Sequence, residues 1–146
     1  MIISDSKEIF VINKKIDTKI TNKFYTFITP YCDSNVGIIF GLDNLIEITK
    51  YYIFQINGKG KLTLLMKENG VYKNLIFKKN KFIKNYNKNN MYKMSILFNP
   101  DKGNIVTSIN DKIVYSIIDK TFKGTMVGLF SRGKNTVFSQ ILSEEF

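Results

Sequence analysis

The stretch from Lys50 to Phe77, KYYIFQINGKGKLTLLMKENGVYKNLIF, decides the fold. Its first run, YYIFQIN from Tyr51 to Asn57, is rich in β-branched and aromatic residues, which favour a pleated strand. Alternate residues of a strand point to opposite faces, so Tyr52, Phe54 and Ile56 are expected in the core. Tyr51, Ile53 and Gln55 then line the other face, which suits the open side of a curved sheet. The run KLTLLMK from Lys61 to Lys67 repeats the pattern, with Leu62, Leu64 and Met66 on one side. Asn57-Gly58-Lys59-Gly60 and Asn69-Gly70 separate the runs. Both can supply the positive φ of a hairpin turn, and Asn69-Gly70 fits the two-residue type I′ class ahead of the strand Val71 to Phe77.

The same grammar extends in both directions. Ile9 to Ile12, Phe24 to Thr29 and Val36 to Gly41 read as strands on the amino-terminal side, the last a nearly continuous apolar run typical of a buried strand. Met91 to Phe98, Ile105 to Ile109, Ile113 to Ile118, Met126 to Ser131 and Val137 to Leu142 follow on the other side. Pro100-Asp101-Lys102-Gly103 and Asn110-Asp111 supply turns. Helical signal is confined to Leu42 to Thr49, LDNLIEIT, which suits one uncapped turn, and Phe82 to Asn90 reads as a loop or poor strand. About eleven short strands at this spacing indicate an all-β, two-sheet antiparallel β-sandwich. Its 146 residues are one domain's worth, with the core pattern spanning residues 22–142.

From Phe24 to Leu142 the order of patterns resembles the concanavalin A-like lectin/glucanase superfamily, and within it the laminin G-like jelly-roll domains. The resemblance rests on NVGIIFG (35–41), KYYIFQING (50–58), GKLTLLMKENGVYKNL (60–75), MYKMSILFNPDKGNIVTSINDKIVYSIID (91–119) and TFKGTMVGLFSRGKNTVFSQI (121–141). It implies two stacked antiparallel sheets, one of them curved, and a carbohydrate or protein surface as ligand, the alternative being a structural or assembly domain that packs on neighbouring domains. Members that hold calcium often carry an acidic residue in the final strand. The matching stretch here is Phe138-Ser139-Gln140, so no metal is expected. The family's usual tryptophan is replaced by Met91, and the chain has no tryptophan with which to stack on a sugar.

Catalysis is not expected. The chain has no histidine, which removes the usual general base and any Ser-His or Cys-His nucleophile system. Glycosidases of the superfamily need two carboxylates projecting into one cleft, about 5 Å apart in retaining enzymes. None of the twelve acidic residues forms such a pair on a strand, and Glu144-Glu145 are adjacent, so they point to opposite faces. Cofactors are likewise not expected. The single cysteine, Cys32, forms no disulfide within the chain and reads as a small semi-buried hydrophobe.

The net charge of +10 has two explanations. One is an acidic partner such as a sulfated glycan. The other is an AT-rich genome. The chain has 21 Lys against one Arg, 22 Ile, 16 Asn and no Ala, and the codons of Lys, Ile and Asn are rich in A and T. The second is preferred, because the lysines are scattered, and this also disfavours nucleic acid. The densest basic stretch is Lys78-Lys79-Asn80-Lys81 with Lys84 and Lys88. No signal peptide or membrane-spanning run is read in the chain, and a module of this kind is expected inside a larger protein, which could itself be secreted.

Six residues are candidates for ligand contact. Asp33 and Asn35 precede the VGIIFG strand and offer hydrogen bonds. Tyr51 and Gln55 belong to the prospective open face, although packing competes with binding there. Lys93 shares the outward face of its strand with Ser95. Arg132 is the only arginine, the better bidentate partner for carboxylate or sulfate, in a loop that also reads as solvated.

Overall fold

A computed structural model describes residues 2–3, 8–15, 17, 19–43, 49–76, 81–132 and 135–144. Within them the strands, in chain order, are β1 (Ile2–Ile3), β2 (Glu8–Lys15), β3 (Asn22–Thr29), β4 (Val36–Leu42), β5 (Lys50–Ile56), β6 (Lys61–Glu68) and β7 (Val71–Asn74). They continue as β8 (Lys81–Phe82), β9 (Tyr92–Asn99), β10 (Asn104–Ile109), β11 (Lys112–Ile118), β12 (Met126–Ser131), β13 (Val137–Phe138) and β14 (Leu142–Glu144). There is no helix among the described residues. Most of the short helix expected at 42–49, namely 44–48, lies outside them.

Two antiparallel sheets form a jelly-roll sandwich. The first runs β1-β13-β3-β9-β10-β11, with β14 also beside β3, and the second runs β2-β12-β4-β5-β6-β7, with β8 also beside β6. The opening stretch folds as the meander β5-β6-β7, in register Tyr51↔Lys67↔Tyr72. Asn69 and Gly70 take φ of 50° and 84°, as a type I′ turn requires, and Asn110 and Asp111 do the same at 50° and 66° between β10 and β11. Inward residues of both sheets make the core, among them Phe24, Phe40, Tyr52, Phe54, Phe98 and Leu129, all fully buried. Phe40, Tyr52 and Phe98 meet with ring centroids 5.1–5.9 Å apart, in tilted and edge-on geometries that suit the ring quadrupoles.

Two expected runs fold differently, and β1 and β8 are short strands outside the expected runs. The last run is broken: β13 and β14 both pair with β3, but the chain leaves the ladder between them. There the Thr26 hydroxyl lies 3.0 Å from the Ser139 carbonyl, and the Ser139 hydroxyl accepts the Phe27 N–H at 2.9 Å. Side-chain bonds thus supplement the one backbone bond that remains there, from the Ser139 N–H to the Phe27 carbonyl at 2.8 Å. The run at Val71 ends as a strand at Asn74, whose side chain accepts the Ile76 N–H, turning Leu75 and Ile76 into the core.

Candidate functional site

The expected site residues fall in three places. Tyr51, Gln55 and Arg132 belong to the outer face of the second sheet. Lys93 lies on the outer face of the first. Asp33 and Asn35 belong to the loop joining β3 to β4, at one end of the sandwich.

That end carries a polar cleft. The loops 30–35, 57–60 and 84–90 converge there, held by backbone bonds from Tyr31 N–H to the Lys88 carbonyl and from Ile83 N–H to the Gly60 carbonyl. Asp33, Gly58, Asn85, Tyr86, Asn87 and Lys88 line a cleft of about 450 Å³, open to solvent. The Asp33 side chain is 77% exposed and 3.3 Å from the Lys88 ammonium, which leaves most of its acceptor capacity to a ligand. Gly58 fixes its position, because a Cβ there would lie 2.0 Å from the Asp33 carbonyl oxygen. Tyr86 stacks on Tyr92 at 5.6 Å, and the Tyr92 hydroxyl bonds both the N–H and the carbonyl of Asn87. The Tyr86 hydroxyl is buried and unpartnered. Burial, then the neighbouring Tyr92, Cys32 and Asp33, push its pKa up to about 12. Beneath the loop, the Thr136 hydroxyl donates to the Pro30 carbonyl at 2.8 Å and lies 3.3 Å from the Cys32 sulfur. Asn35 faces the next loop, where its carbonyl accepts the Arg132 N–H.

The outer face of the second sheet is a second apolar cluster. Ile39, Leu42, Tyr51, Ile53 and Phe130 are buried there, with Leu65 and Met126 packed against them. Tyr51 is fully buried and Gln55 is 8% exposed, so both side chains pack on this face. Two buried hydroxyls on this face, those of Tyr51 and Thr63, have no hydrogen-bond partner. Arg132 follows β12, yet its guanidinium donates to the Tyr72 hydroxyl at 3.1 Å. Three strands of the sheet order, β4, β5 and β6, separate β12 from β7, so this bond spans the face, which must be concave.

Lys93 is engaged in contacts within the fold. Its ammonium pairs with Asp111 at 2.8 Å and lies 4.6 Å from the Tyr25 ring centroid, and its N–H donates to the Asn110 side chain. These contacts brace the β10–β11 turn, and the hydrogen bond from Lys93 holds the Asp111 carboxyl below the ordinary carboxylate value. Among the described residues no cluster of three or more His, Cys, Asp or Glu could hold a metal ion.

Sequence reading reached Asp33 but not Gly58, Asn85, Tyr86, Asn87 or Lys88 as its companions. The alternation of Asn85 and Asn87 about Tyr86 was the available signal, hidden in a stretch whose composition reads as a solvated loop.

No protein-family model and no curated protein sequence matches the chain. Solved structures do resemble it. The carbohydrate-binding module CBM66 from Bacillus subtilis superposes with a TM-score of 0.80 at 14% identity, over 97% of this chain and 84% of that one. Sheep galectin-11, in complex with glycerol, gives 0.67 at 6% identity, over 97% and 99%. Toad ovary galectin, in complex with thio-digalactose, gives 0.66 at 9% identity, over 97% and 100%. The class defined by this likeness is a fold class: the jelly-roll β-sandwich of galectins and carbohydrate-binding modules.

Proposed function

We propose that the chain is a non-catalytic carbohydrate-recognition module whose ligand occupies the end cleft. One observation carries the reading: Asp33, Asn85, Tyr86 and Asn87 line a single cleft open to solvent. Sugar hydroxyls both donate and accept, so a carboxylate beside amides can engage adjacent hydroxyls, while an aromatic wall receives the C–H surface of the ring. Galectin and carbohydrate-binding-module structures of the same fold support the ligand class. A glycan array identifies the sugar, and calorimetric titration of Asp33→Ala and Asn87→Ala tests the site. Each variant is expected to weaken binding about tenfold, the loss typical of a hydrogen bond involving a charged or precisely placed group. An array blank across all glycans, or a folded Asp33→Ala protein that binds as well as the parent, overturns the reading.

A further inference from the structure

The concave face carries an arrangement that sugar recognition at the end cleft does not use. In the rung Tyr51↔Lys67↔Tyr72, the Lys67 ammonium lies 4.9 Å from the Tyr72 ring centroid and 5.9 Å from that of Tyr51. The Arg132 guanidinium arrives from the opposite side of the sheet, 5.9 Å from the same Tyr72 centroid and 5.8 Å from that of Phe130. One tyrosine ring thus receives two cations. No carboxylate among the described residues forms an ion pair with either. Two cations directed at one ring without a counter-charge leave positive potential on this face that an anion would neutralise.

A second observation points the same way. The Tyr51 hydroxyl is fully buried with Tyr72 and Arg132 as its polar neighbours, and neither meets it in hydrogen-bonding geometry. A buried donor without an acceptor is expensive, and an acceptor oxygen arriving from outside would relieve it. Tyr72 is 39% exposed and Arg132 is exposed, so the approach is open from solvent.

We propose that Lys67, Arg132, Tyr72 and Tyr51 form an oxyanion site on the concave face, taking the carboxylate or sulfate group of an acidic sugar. The guanidinium provides a planar fork, the ammonium a point charge and the Tyr51 hydroxyl a buried donor. The site is separate from the end cleft and does not depend on Asp33.

The single arginine makes the test direct, because the chain has one side-chain Nε–H of this type to observe by NMR. The ¹⁵N-labelled protein is titrated at constant ionic strength with glucuronic acid, glucose 6-sulfate and glucose. A saturable shift of the Arg132 Nε–H with either acid, absent with glucose, is expected, and the two acids separate carboxylate from sulfate as its source. Lys67→Gln and Tyr51→Phe are each expected to weaken that binding about tenfold, read from the same resonance, while Lys112→Gln, an exposed lysine on the other sheet, leaves it unchanged. Tyr51→Phe should do so without lowering the melting temperature, which separates lost binding from lost folding. Equal shifts with glucose and the acids, no shift with either acid, or undiminished binding by folded Lys67→Gln overturns the site.

Discussion

Tyr51 and Tyr52 are consecutive and fully buried, and their hydroxyls are in opposite situations. The Tyr52 hydroxyl donates to the Asp119 carboxylate at 2.5 Å and accepts the Phe122 N–H at 3.0 Å. The Tyr51 hydroxyl has no partner. Burial raises the pKa of both phenols, more than any other cause. Deleting a satisfied hydroxyl strands its partners and costs about 1–3 kcal/mol, whereas deleting an unsatisfied one removes a penalty of similar size. Tyr52→Phe should therefore lower the melting temperature and Tyr51→Phe raise it, by about 2–4 °C per kcal/mol for a domain of this size. Thermal denaturation of the two proteins side by side checks the signs; a Tyr51→Phe protein that melts below the parent defeats the account. The face each tyrosine takes was legible in the sequence, because a period of two assigns it. Whether each hydroxyl finds a partner was not, because Asp119 lies 67 residues from Tyr52 and meets it only through the sandwich.

At the scale of elements, turns were the most legible feature and long-range pairings the least. Asn69-Gly70 and Asn110-Asp111 adopt the conformation their residue types favour, since Asn, Asp and Gly tolerate positive φ. Lys67 and Tyr72 become neighbours through the same turn. The Arg132–Tyr72 bond was not legible, because it depends on curvature accumulated over five strands. The β13–β14 break was also hidden, since its Thr26–Ser139 contact crosses 113 residues. Two glycines separate local from tertiary constraint. Gly70 has φ of 84° and open space around its Cβ position, so Gly70→Ala meets only backbone strain, about 1–2 kcal/mol. Gly58 has the Asp33 carbonyl oxygen in the place a Cβ would take, so Gly58→Ala must displace the β3–β4 loop. Urea unfolding should show both variants destabilised, and sugar titration should show Gly58→Ala alone impaired in binding. Equal sugar affinity in the two would mean that the loop is not part of the site.

For the whole molecule, charge and its pH dependence follow from composition and the few perturbed groups. With no histidine, no side chain of ordinary pKa titrates between about pH 5 and 7, so stability should be flat across that window. On the acid side, burial alone would raise the Asp119 carboxyl. Hydrogen bonds from Tyr52 and Thr121 overcome it and hold the pKa below the ordinary 3.8. A depressed folded-state pKa contributes stability that is present above the unfolded value and is lost as pH falls through the folded one, so the acid limb lies below about pH 4. On the alkaline side the sign reverses. Tyr86 is raised from 10.0 to about 12, and Tyr51, Tyr52 and Tyr115 are raised in the same direction, so their contribution is complete below pH 10 and fades as pH climbs towards 12. Throughout the plateau the chain carries a net charge near +10, whose self-repulsion is screened by salt. Melting temperature measured from pH 3 to 12 should therefore show a plateau with two falling limbs, and at pH 6 it should rise with added sodium chloride. A transition between pH 5 and 7 would require a titrating group that the described residues do not provide. A melting temperature indifferent to salt would mean that the lysines are spread widely enough for their repulsion not to be felt, as expected if genome composition alone placed them.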